Sequence, residues 1–275
     1  MTIDSHHHLW KYDPETYPWI NEDMGVLKKD FLPENIFPLL KANGIDGCVA
    51  VQADQSEKET SFLLDCAADY PFIKGVVGWV DLQAANRDER LAYFSKNKTL
   101  KGIRHIVQEE PNPEFMLGNE FQNGIRCLSK YNLTYDILVY DFQLPSAVLL
   151  ARAFPNQKFV LDHIGKPRIS KGVSETWSSL IKELSRCENV SCKLSGMVTE
   201  TEDFSWKENE FTPFMETVLE AFGTDRLMFG SDWPVCLLGG TYAEVYEIVK
   251  NFVASLTPNE QEKIMGLNAQ QFYAL

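Results

Sequence analysis

Short hydrophobic runs alternate along the chain with longer stretches in which apolar residues recur at helical spacing. Runs such as VAV, GVVGWV and FVL are almost entirely apolar, which is typical of parallel strands buried on both faces. The runs predict eight strands, over residues 3–8, 44–52, 73–80, 100–107, 134–140, 158–163, 190–194 and 226–231. Because each run is followed by a helical stretch, the pattern predicts repeated βα units and a parallel sheet.

The helical stretches include residues 33–43, 57–68, 144–154 and 211–222. The first of them begins with a proline, the residue favoured at the first position of a helix. The longer irregular stretches cover residues 11–32, 108–117, 165–173 and 199–209, and each follows a predicted strand. Long loops in a compact domain usually act as lids or binding loops, so we expect these stretches to surround a site.

The length of 275 residues suits eight βα units closed into a barrel. We therefore predict an α/β fold, a (β/α)8 TIM barrel, that forms a single domain over residues 1–275. The competing fold is an open doubly wound sheet, which would favour a glycine-rich first turn. The first turn here, HHHLW, is rich in histidine instead.

The composition limits the classes of binding partner and the cellular compartment that we expect for the protein. The net charge is −13, from 26 basic and 39 acidic residues, and the chain has no basic run, which argues against nucleic acid or an anionic membrane as a partner. Its six cysteines form no CxxC pair, as expected of reduced thiols. The first residues, MTIDSHHHLW, lack the features of a signal peptide. We predict a cytoplasmic protein and leave its oligomeric state open.

The five histidines all fall at or near the carboxyl end of a predicted strand, at His6, His7, His8, His105 and His163. Barrel active sites are built at that end of the strands. Histidine is the commonest metal ligand and a frequent acid–base group at neutral pH. The distribution therefore predicts a functional site at the carboxyl end of the barrel.

His6 and His8 form an HxH pair on the first strand. Side chains at positions i and i+2 of a strand point to the same face, so these two imidazoles should converge while His7 points away. The alternative is a surface cluster or the remnant of an expression tag. Three histidines are too few for a usual tag, and a regular strand surrounds them.

Two further segments end strands with polar residues. LDHIGKP places His163 at the end of strand six, where Asp162 should point away from the barrel interior if His163 points in; the alternative is a core histidine. MFGSDWPV places Asp232 after strand eight, where we expect a general base rather than a helix cap. Lys166 could reach an anionic substrate or could be a solvated loop lysine.

Strand four ends with Arg104 and His105, and only one of two adjacent residues can line the barrel interior. Strand parity does not decide between them, although Arg104 suits a carboxylate or hydroxyl of a ligand better. Other strand-end residues, Ser195 among them, could form the walls of the site. The predicted substrate-binding set is Arg104, His105, Gln52, Trp10, Trp79, Tyr140, Lys166 and Trp233.

Taken together, DSHHHLW, KGIRH, LDHIGKP, KLSGM and FGSDWP resemble motifs of the amidohydrolase superfamily. The closest resemblance is to its amidohydrolase-2 branch, which contains sugar-lactone lactonases of the L-fuconolactonase and L-rhamnonolactonase types and 2-pyrone-4,6-dicarboxylate lactonase. The resemblance spans nearly the whole chain. It implies a (β/α)8 barrel whose catalytic residues are His6, His8, His163 and Asp232.

One departure from the superfamily concerns metal binding. Its binuclear members carry a carboxylated lysine on strand four and a histidine at the end of strand five. Here Lys101 lies at the start of strand four, and strand five, LTYDILVY, contains no histidine. We therefore expect no obligatory metal cofactor, or at most one divalent ion such as zinc, which His6, His8 and Asp232 would bind.

The resemblance implies hydrolysis of a sugar aldonolactone, of the L-fucono- or L-rhamnono-lactone type, to the aldonic acid. Asp232 would take a proton from water, and His6, His8 and His163 would polarise the carbonyl group. Three alternatives stay open: a 2-pyrone-4,6-dicarboxylate-type lactonase, a metal-dependent decarboxylase of the same superfamily, and a non-catalytic protein that binds sugar acids.

Overall fold

Eight parallel strands form one sheet in chain order in the computed structural model, which describes residues 1–275. The strands are β1 (Ile3–His7), β2 (Gly47–Val51), β3 (Ile73–Gly78), β4 (Leu100–His105), β5 (Thr134–Ile137), β6 (Phe159–Leu161), β7 (Val190–Leu194) and β8 (Leu227–Phe229). The last strand returns to the first, since the hydroxyl of Ser5 donates to the carbonyl of Phe229 at 2.6 Å. The predicted (β/α)8 barrel is confirmed.

Helices surround the barrel and follow its strands along the chain. They are α1 (Pro33–Ala42), α2 (Glu57–Asp69), α3 (Arg87–Phe94), α4 (Asn119–Leu128), α5 (Leu144–Ala153), α6 (Glu175–Ser185), α7 (Thr212–Phe222) and α8 (Tyr242–Val253), with α9 (Pro258–Glu262) and α10 (Asn268–Tyr273) at the C-terminus. The four named helix predictions agree with the observed helices to within one residue at each end. Ser56 caps α2, because its side chain accepts a hydrogen bond from the amide of Glu59.

The amino-terminal end of the barrel is closed by α10. Its Ala269, Phe272 and Tyr273 pack in one apolar cluster with the barrel residues Ile3, Val49, Val51, Val77, Val160 and Met228. Lys101, at the start of β4, donates to the carbonyl oxygen of Ala274 at 2.7 Å. The barrel interior is thus filled by side chains at this end, and an active site is expected at the carboxyl ends of the strands.

Most strands end earlier than their hydrophobic patterns suggest, and in β6 the early end affects the site. The pattern extends to residue 163, but the strand ends at Leu161. His163 and Ile164 have positive φ angles of 54° and 50°, so the chain leaves the strand in a left-handed turn. This turn changes which side chains face the barrel interior.

All six cysteines are free thiols, and none of the helices is both long enough and apolar enough to cross a bilayer.

Candidate active site

A cavity of about 440 Å³ opens at the carboxyl end of the barrel. Its inner part contains His8, Arg104, His163 and Asp232. Residues of the loops after the strands form the rest of the wall: Trp19, Met24, Ala53, Ile106, Gln108, Glu109, Leu138, Tyr140, Lys166, Thr199, Glu200, Phe204, Val235 and Leu238. The cavity therefore lies where the histidine distribution predicted a site.

The carboxylate of Asp232 faces three imidazoles. Its Oδ1 lies 3.2 Å from Nε2 of His8, 3.7 Å from Nε2 of His6 and 3.8 Å from Nε2 of His163. The backbone amide of Asp232 donates to the carbonyl of His6 at 2.8 Å, which ties the end of β8 to β1. Gly230 permits this approach, since a Cβ atom there would lie 2.7 Å from the Cβ of His6. The structure thus brings together the four residues that the motifs single out.

Hydrogen bonds at the outer ring nitrogens orient two of these histidines. Nδ1 of His8 lies 2.8 Å from the carbonyl oxygen of Val51 and must donate to it, so Nε2 of a neutral His8 carries the lone pair. Nδ1 of His163 lies 2.9 Å from the hydroxyl of Ser195. Gly196 makes room for that ring, because a Cβ atom at this position would lie 2.4 Å from its Nδ1.

Burial and mutual contact set the charges of the site. Burial lowers the pKa of His163 to about 4 and holds the pKa of His6 well below its usual value. Burial opposes ionisation of Asp232, but the imidazoles around it, His163 above all and then His8 and His6, hold the pKa of Asp232 below its usual range. At neutral pH the site therefore combines an ionised carboxylate with neutral His6 and His163.

Beneath the four residues lies a buried layer of charged groups, of which Lys193 and Asp136 were not identified from the sequence patterns. Nζ of Lys193 lies 2.5 Å from Oδ2 of Asp136 and 3.0 Å from Oδ1 of Asp162. Arg104 donates to Oδ2 of Asp162 at 3.0 Å. Burial opposes ionisation of Asp162, but Lys193, His6 and Arg104 hold its pKa well below the usual range. The layer is thus a network of buried ion pairs.

The expectation that Asp162 points away from the barrel interior is wrong. Its carboxylate contacts Arg104, Lys193 and Nδ1 of His6, the last at 3.3 Å. Strand parity fails here because β6 ends at Leu161, and the left-handed turn that follows directs both Asp162 and His163 inward. A sequence signal for the other two buried charges did exist. Lys193 and Asp136 are each the only charged residue of their strand, where an isolated buried charge requires a partner.

Of the two adjacent residues at the end of β4, Arg104 lines the cavity and His105 does not. His105 lies outside the barrel wall, stacked on Phe115 with 4.8 Å between ring centroids. Its Nε2 is 2.7 Å from the carboxylate of Glu110, and the indole of Trp79 donates to its Nδ1 at 3.4 Å. His105 and Trp79 therefore hold the loop after β4 and do not reach the cavity.

Of the other predicted binding residues, some line the cavity and some lie behind the residues that line it. Tyr140 and Lys166 line the cavity, and Nζ of Lys166 lies 5.3 Å from the centre of the Tyr140 ring. Lys166 is paired with Glu200 at 2.8 Å, so it is neither a free anion-binding group nor a solvated lysine. Gln52 lies behind Arg104, whose guanidinium donates to its backbone carbonyl and to its side-chain oxygen.

Trp10 and Trp233 are buried and do not line the cavity. Both pack edge-on against Phe31, at ring-centroid distances of 5.3 Å and 5.1 Å. Trp10 also packs against Trp19, which does line the cavity and which sequence reasoning did not single out. The tryptophan of the cavity wall thus comes from the loop after β1 rather than from the strand end, while Tyr140 and Phe204 supply the other aromatic rings of the wall.

Three donor atoms of the site are arranged as a metal ion requires. Nε2 of His6 is 3.3 Å from Nε2 of His8, and Oδ1 of Asp232 lies 3.7 Å and 3.2 Å from them. Ligands about 2.1 Å from a tetrahedral zinc ion are about 3.4 Å apart, so His6, His8 and Asp232 fit one divalent ion. Lys101 lies at the opposite end of β4 from this site.

The chain matches the amidohydrolase family over residues 3–275. It is 38% identical to an L-fucono-1,5-lactonase of Burkholderia multivorans over 289 aligned positions, which cover 100% of this chain and 96% of that protein. It is 31% identical to an L-fucono-1,5-lactonase of Burkholderia ambifaria, covering 99% of this chain and 95% of that protein. The crystal structure of a Burkholderia multivorans amidohydrolase with bound zinc superimposes with a TM-score of 0.97 at 38% identity, covering 100% of this chain and 99% of that one.

Proposed function

Because the chain belongs to the amidohydrolase family and is a hydrolase, we propose that it opens a sugar 1,5-lactone, of the L-fuconolactone type, to the aldonic acid. The observation that carries the proposal is the carboxylate of Asp232 facing three imidazoles in the cavity. A carboxylate accepts a proton from water, and polar N–H groups around it stabilise the oxyanion that forms. Two relatives that match over nearly their full length are L-fucono-1,5-lactonases, which supports the choice of substrate.

In the proposed reaction, a water molecule is held between Oδ1 of Asp232 and Nε2 of His8, which are 3.2 Å apart. Both atoms are acceptors, because Nδ1 of His8 already carries the proton that is donated to Val51. The water donates one hydrogen to each and presents a lone pair to the lactone carbonyl. This gives His8 a different role from the sequence expectation, in which all three histidines donate to the carbonyl oxygen.

The developing oxyanion is stabilised from the other side of the cavity. When the hydroxyl of Ser195 donates to Nδ1 of His163, the ring proton is on Nε2, which faces the oxyanion as a donor. The guanidinium of Arg104 is a second donor to the cavity and lies 3.3 Å from Nε2 of His6. Asp232, protonated by the water, then delivers the proton to the departing ring oxygen. The products are one aldonic acid and no other molecule, since the ester oxygen stays within the sugar chain.

One divalent metal ion would be held by His6, His8 and Asp232. The bond from His8 to Val51 is the kind of outer hydrogen bond that orients metal-bound histidines. A bound ion would supply Lewis-acid polarisation of the carbonyl group. The Burkholderia multivorans amidohydrolase structure contains bound zinc, which supports zinc as the candidate ion.

The charge of the cavity favours a neutral polyhydroxylated lactone over a dicarboxylate. Its two permanent cations already have carboxylate partners, Arg104 with Asp162 and Lys166 with Glu200. Glu109 adds a further acidic group to the wall. A dianionic pyrone would have to displace these pairs, whereas sugar hydroxyl groups can donate to the same carboxylates.

The test is a panel of lactones read by acid release, with and without a chelator. We expect kcat/KM for L-fucono-1,5-lactone to exceed the values for L-rhamnono-lactone, 2-pyrone-4,6-dicarboxylate and matched amides. Turnover of the dicarboxylate in preference would overturn the substrate assignment. Turnover of an amide but of no lactone would overturn the reaction itself.

A further inference from the structure

His6 lies between two cationic side chains, one at each ring nitrogen. Nζ of Lys193 is 3.0 Å from Nδ1, and Nη1 of Arg104 is 3.3 Å from Nε2. Lysine and arginine can only donate hydrogen bonds, and a neutral imidazole has only one nitrogen that accepts. Only one of the two contacts can therefore be a hydrogen bond, and the tautomer of His6 decides which one.

The surroundings of the two cations favour the contact with Lys193. Arg104 has other acceptors, since it donates to Oδ2 of Asp162 and to both oxygens of Gln52. The ammonium group of Lys193 is fully buried, donates to Oδ2 of Asp136 and lies 3.0 Å from Nδ1 of His6. It is also 3.0 Å from Oδ1 of Asp162, but is not aligned for a hydrogen bond to that oxygen. Without His6, one of its N–H groups would be left buried with no aligned acceptor, which is costly.

The position of Lys193 is fixed from below by the C-terminal helix. The hydroxyl of Tyr273, on α10, donates to Oδ2 of Asp136 at 2.7 Å, and this oxygen also accepts from Lys193. Nζ of Lys193 lies 5.5 Å from the centre of the Tyr273 ring. A continuous buried chain thus runs from Tyr273 through Asp136 and Lys193 to His6.

We propose that, in the metal-free protein, Lys193 is a positioning residue that donates to Nδ1 of His6 and so places the ring proton on Nε2, toward Asp232 and the cavity. Nε2–H of His6 and Nη1 of Arg104, 3.3 Å apart, then present two donors to one point, where a single oxygen atom can accept from both. Lys193 itself does not line the cavity and acts through the histidine.

The same geometry indicates what replaces Lys193 when it is removed. Oδ1 of Asp162 lies 3.3 Å from Nδ1 of His6 and has no well-aligned hydrogen-bond donor. In the absence of the ammonium group, this oxygen is the nearest acceptor for an Nδ1 proton. Loss of Lys193 is therefore expected to transfer the ring proton from Nε2 to Nδ1 and to remove the donor that faces the cavity.

The first experiment measures the tautomer directly. Long-range ¹H–¹⁵N spectra of chelator-treated protein labelled at histidine report which nitrogen of each ring is protonated, and the chain has only five histidines. The signals of His6 are assigned from their loss in His6→Gln. We expect Nε2–H in the wild type. An Nδ1–H signal would overturn the proposal, and because no substrate is present this result is independent of the proposed function.

The second experiment removes the positioning group together with its counter-ion. Lys193→Met combined with Asp136→Asn leaves no uncompensated charge in the core, and Lys74→Met, a half-buried lysine on β3, is the matched control. We expect the double variant to shift His6 to Nδ1–H and to lower kcat for the lactone about 10- to 100-fold, with a much smaller change in KM. The control should keep both the tautomer and the rate.

An unchanged Nε2–H signal in the double variant would contradict the proposal even if the rate fell, because a merely structural role would lower the rate without moving the proton. The kinetic arm alone rests on the proposed lactonase activity. If the double variant fails to fold, the wild-type spectrum decides the question, since it either has or lacks the proton on Nε2.

Discussion

Oδ1 of Asp232 lies 3.2 Å from Nε2 of His8, whose opposite ring nitrogen is bonded to the backbone carbonyl of Val51. Two acceptors are thus held side by side on different strands at the inner end of the cavity. Such a pair requires a molecule that donates two hydrogens, or a cation, between them. A water molecule meets the first requirement and a metal ion meets the second. The same pair of residues, Asp232 and His8, can therefore bind either one.

Asp232→Asn should retain the fold and lose nearly all lactonase activity. The amide group cannot take the proton of the attacking water, so we expect kcat to fall by about 10³-fold or more. The rate should be measured by acid release with L-fucono-1,5-lactone, alongside a thermal unfolding curve. Asp88→Asn, at an exposed ion pair with Lys130, serves as the matched control. A folded Asp232→Asn protein with a near-normal rate would rule out this residue as the base.

How far the sequence could predict this site depended on the regularity of each strand. The HxH pair was predictable because side-chain alternation is kept from His6 to His8, whose Nε2 atoms both face Asp232, although the pairing of β1 with β2 shifts register between Asp4 and His7. At the end of β6 the backbone turns left-handed, and parity gave the wrong direction for Asp162. The pairing of Asp136 with Tyr273 joins residues 137 positions apart, and no local pattern encodes such a contact.

Glu200→Gln should widen the specificity toward anionic lactones. Glu200 holds Lys166 at 2.8 Å in the wall of the cavity, where both side chains are largely buried. Removal of the carboxylate frees the ammonium group for a ligand and lowers the negative charge of the wall. We expect kcat/KM for 2-pyrone-4,6-dicarboxylate to rise relative to the value for L-fucono-1,5-lactone. The ratio should stay constant in Glu183→Gln, which removes a surface partner of Arg152. An unchanged ratio in Glu200→Gln would show that this pair does not select substrate charge.

Glu59 should make the stability of the protein depend on pH. Burial raises its pKa to about 8, above the value of 4.5 for an unperturbed glutamate. The folded state then binds one more proton than the unfolded state between these values, so stability is lost as the pH rises from about 5 to 8, by at most about 1.4 kcal/mol per pH unit. Its Oε2 accepts from the amides of Ala53 and Asp54, and Ala53 lines the cavity.

Glu59→Gln imitates the protonated acid and should flatten this dependence. An amide oxygen can still accept from the two backbone amides, while the amide nitrogen can donate to the hydroxyl of Tyr17. Unfolding free energies at pH 5, 6.5 and 8 for both proteins provide the comparison. Parallel curves would mean that Glu59 is ionised in the folded protein across this range.

Metal titration should saturate at no more than one divalent ion per chain. A second ion would need further ligands next to the first three. Lys101 is at the other end of β4, and Asp136, the charged residue of β5, is already occupied by Lys193 and Tyr273. Asp162 lies close to His6 and His163, but its carboxylate is already paired with Arg104 and Lys193. We expect zinc titration with elemental analysis to give one ion at most, and His8→Asn, which removes a ligand, to abolish that binding. Two tightly bound ions per wild-type chain would contradict the prediction of a single metal site. Activity that is lost on chelation and restored by one zinc ion would favour the metal-assisted form of the mechanism. Activity that persists on chelation would favour the form in which His163 and Arg104 alone stabilise the oxyanion.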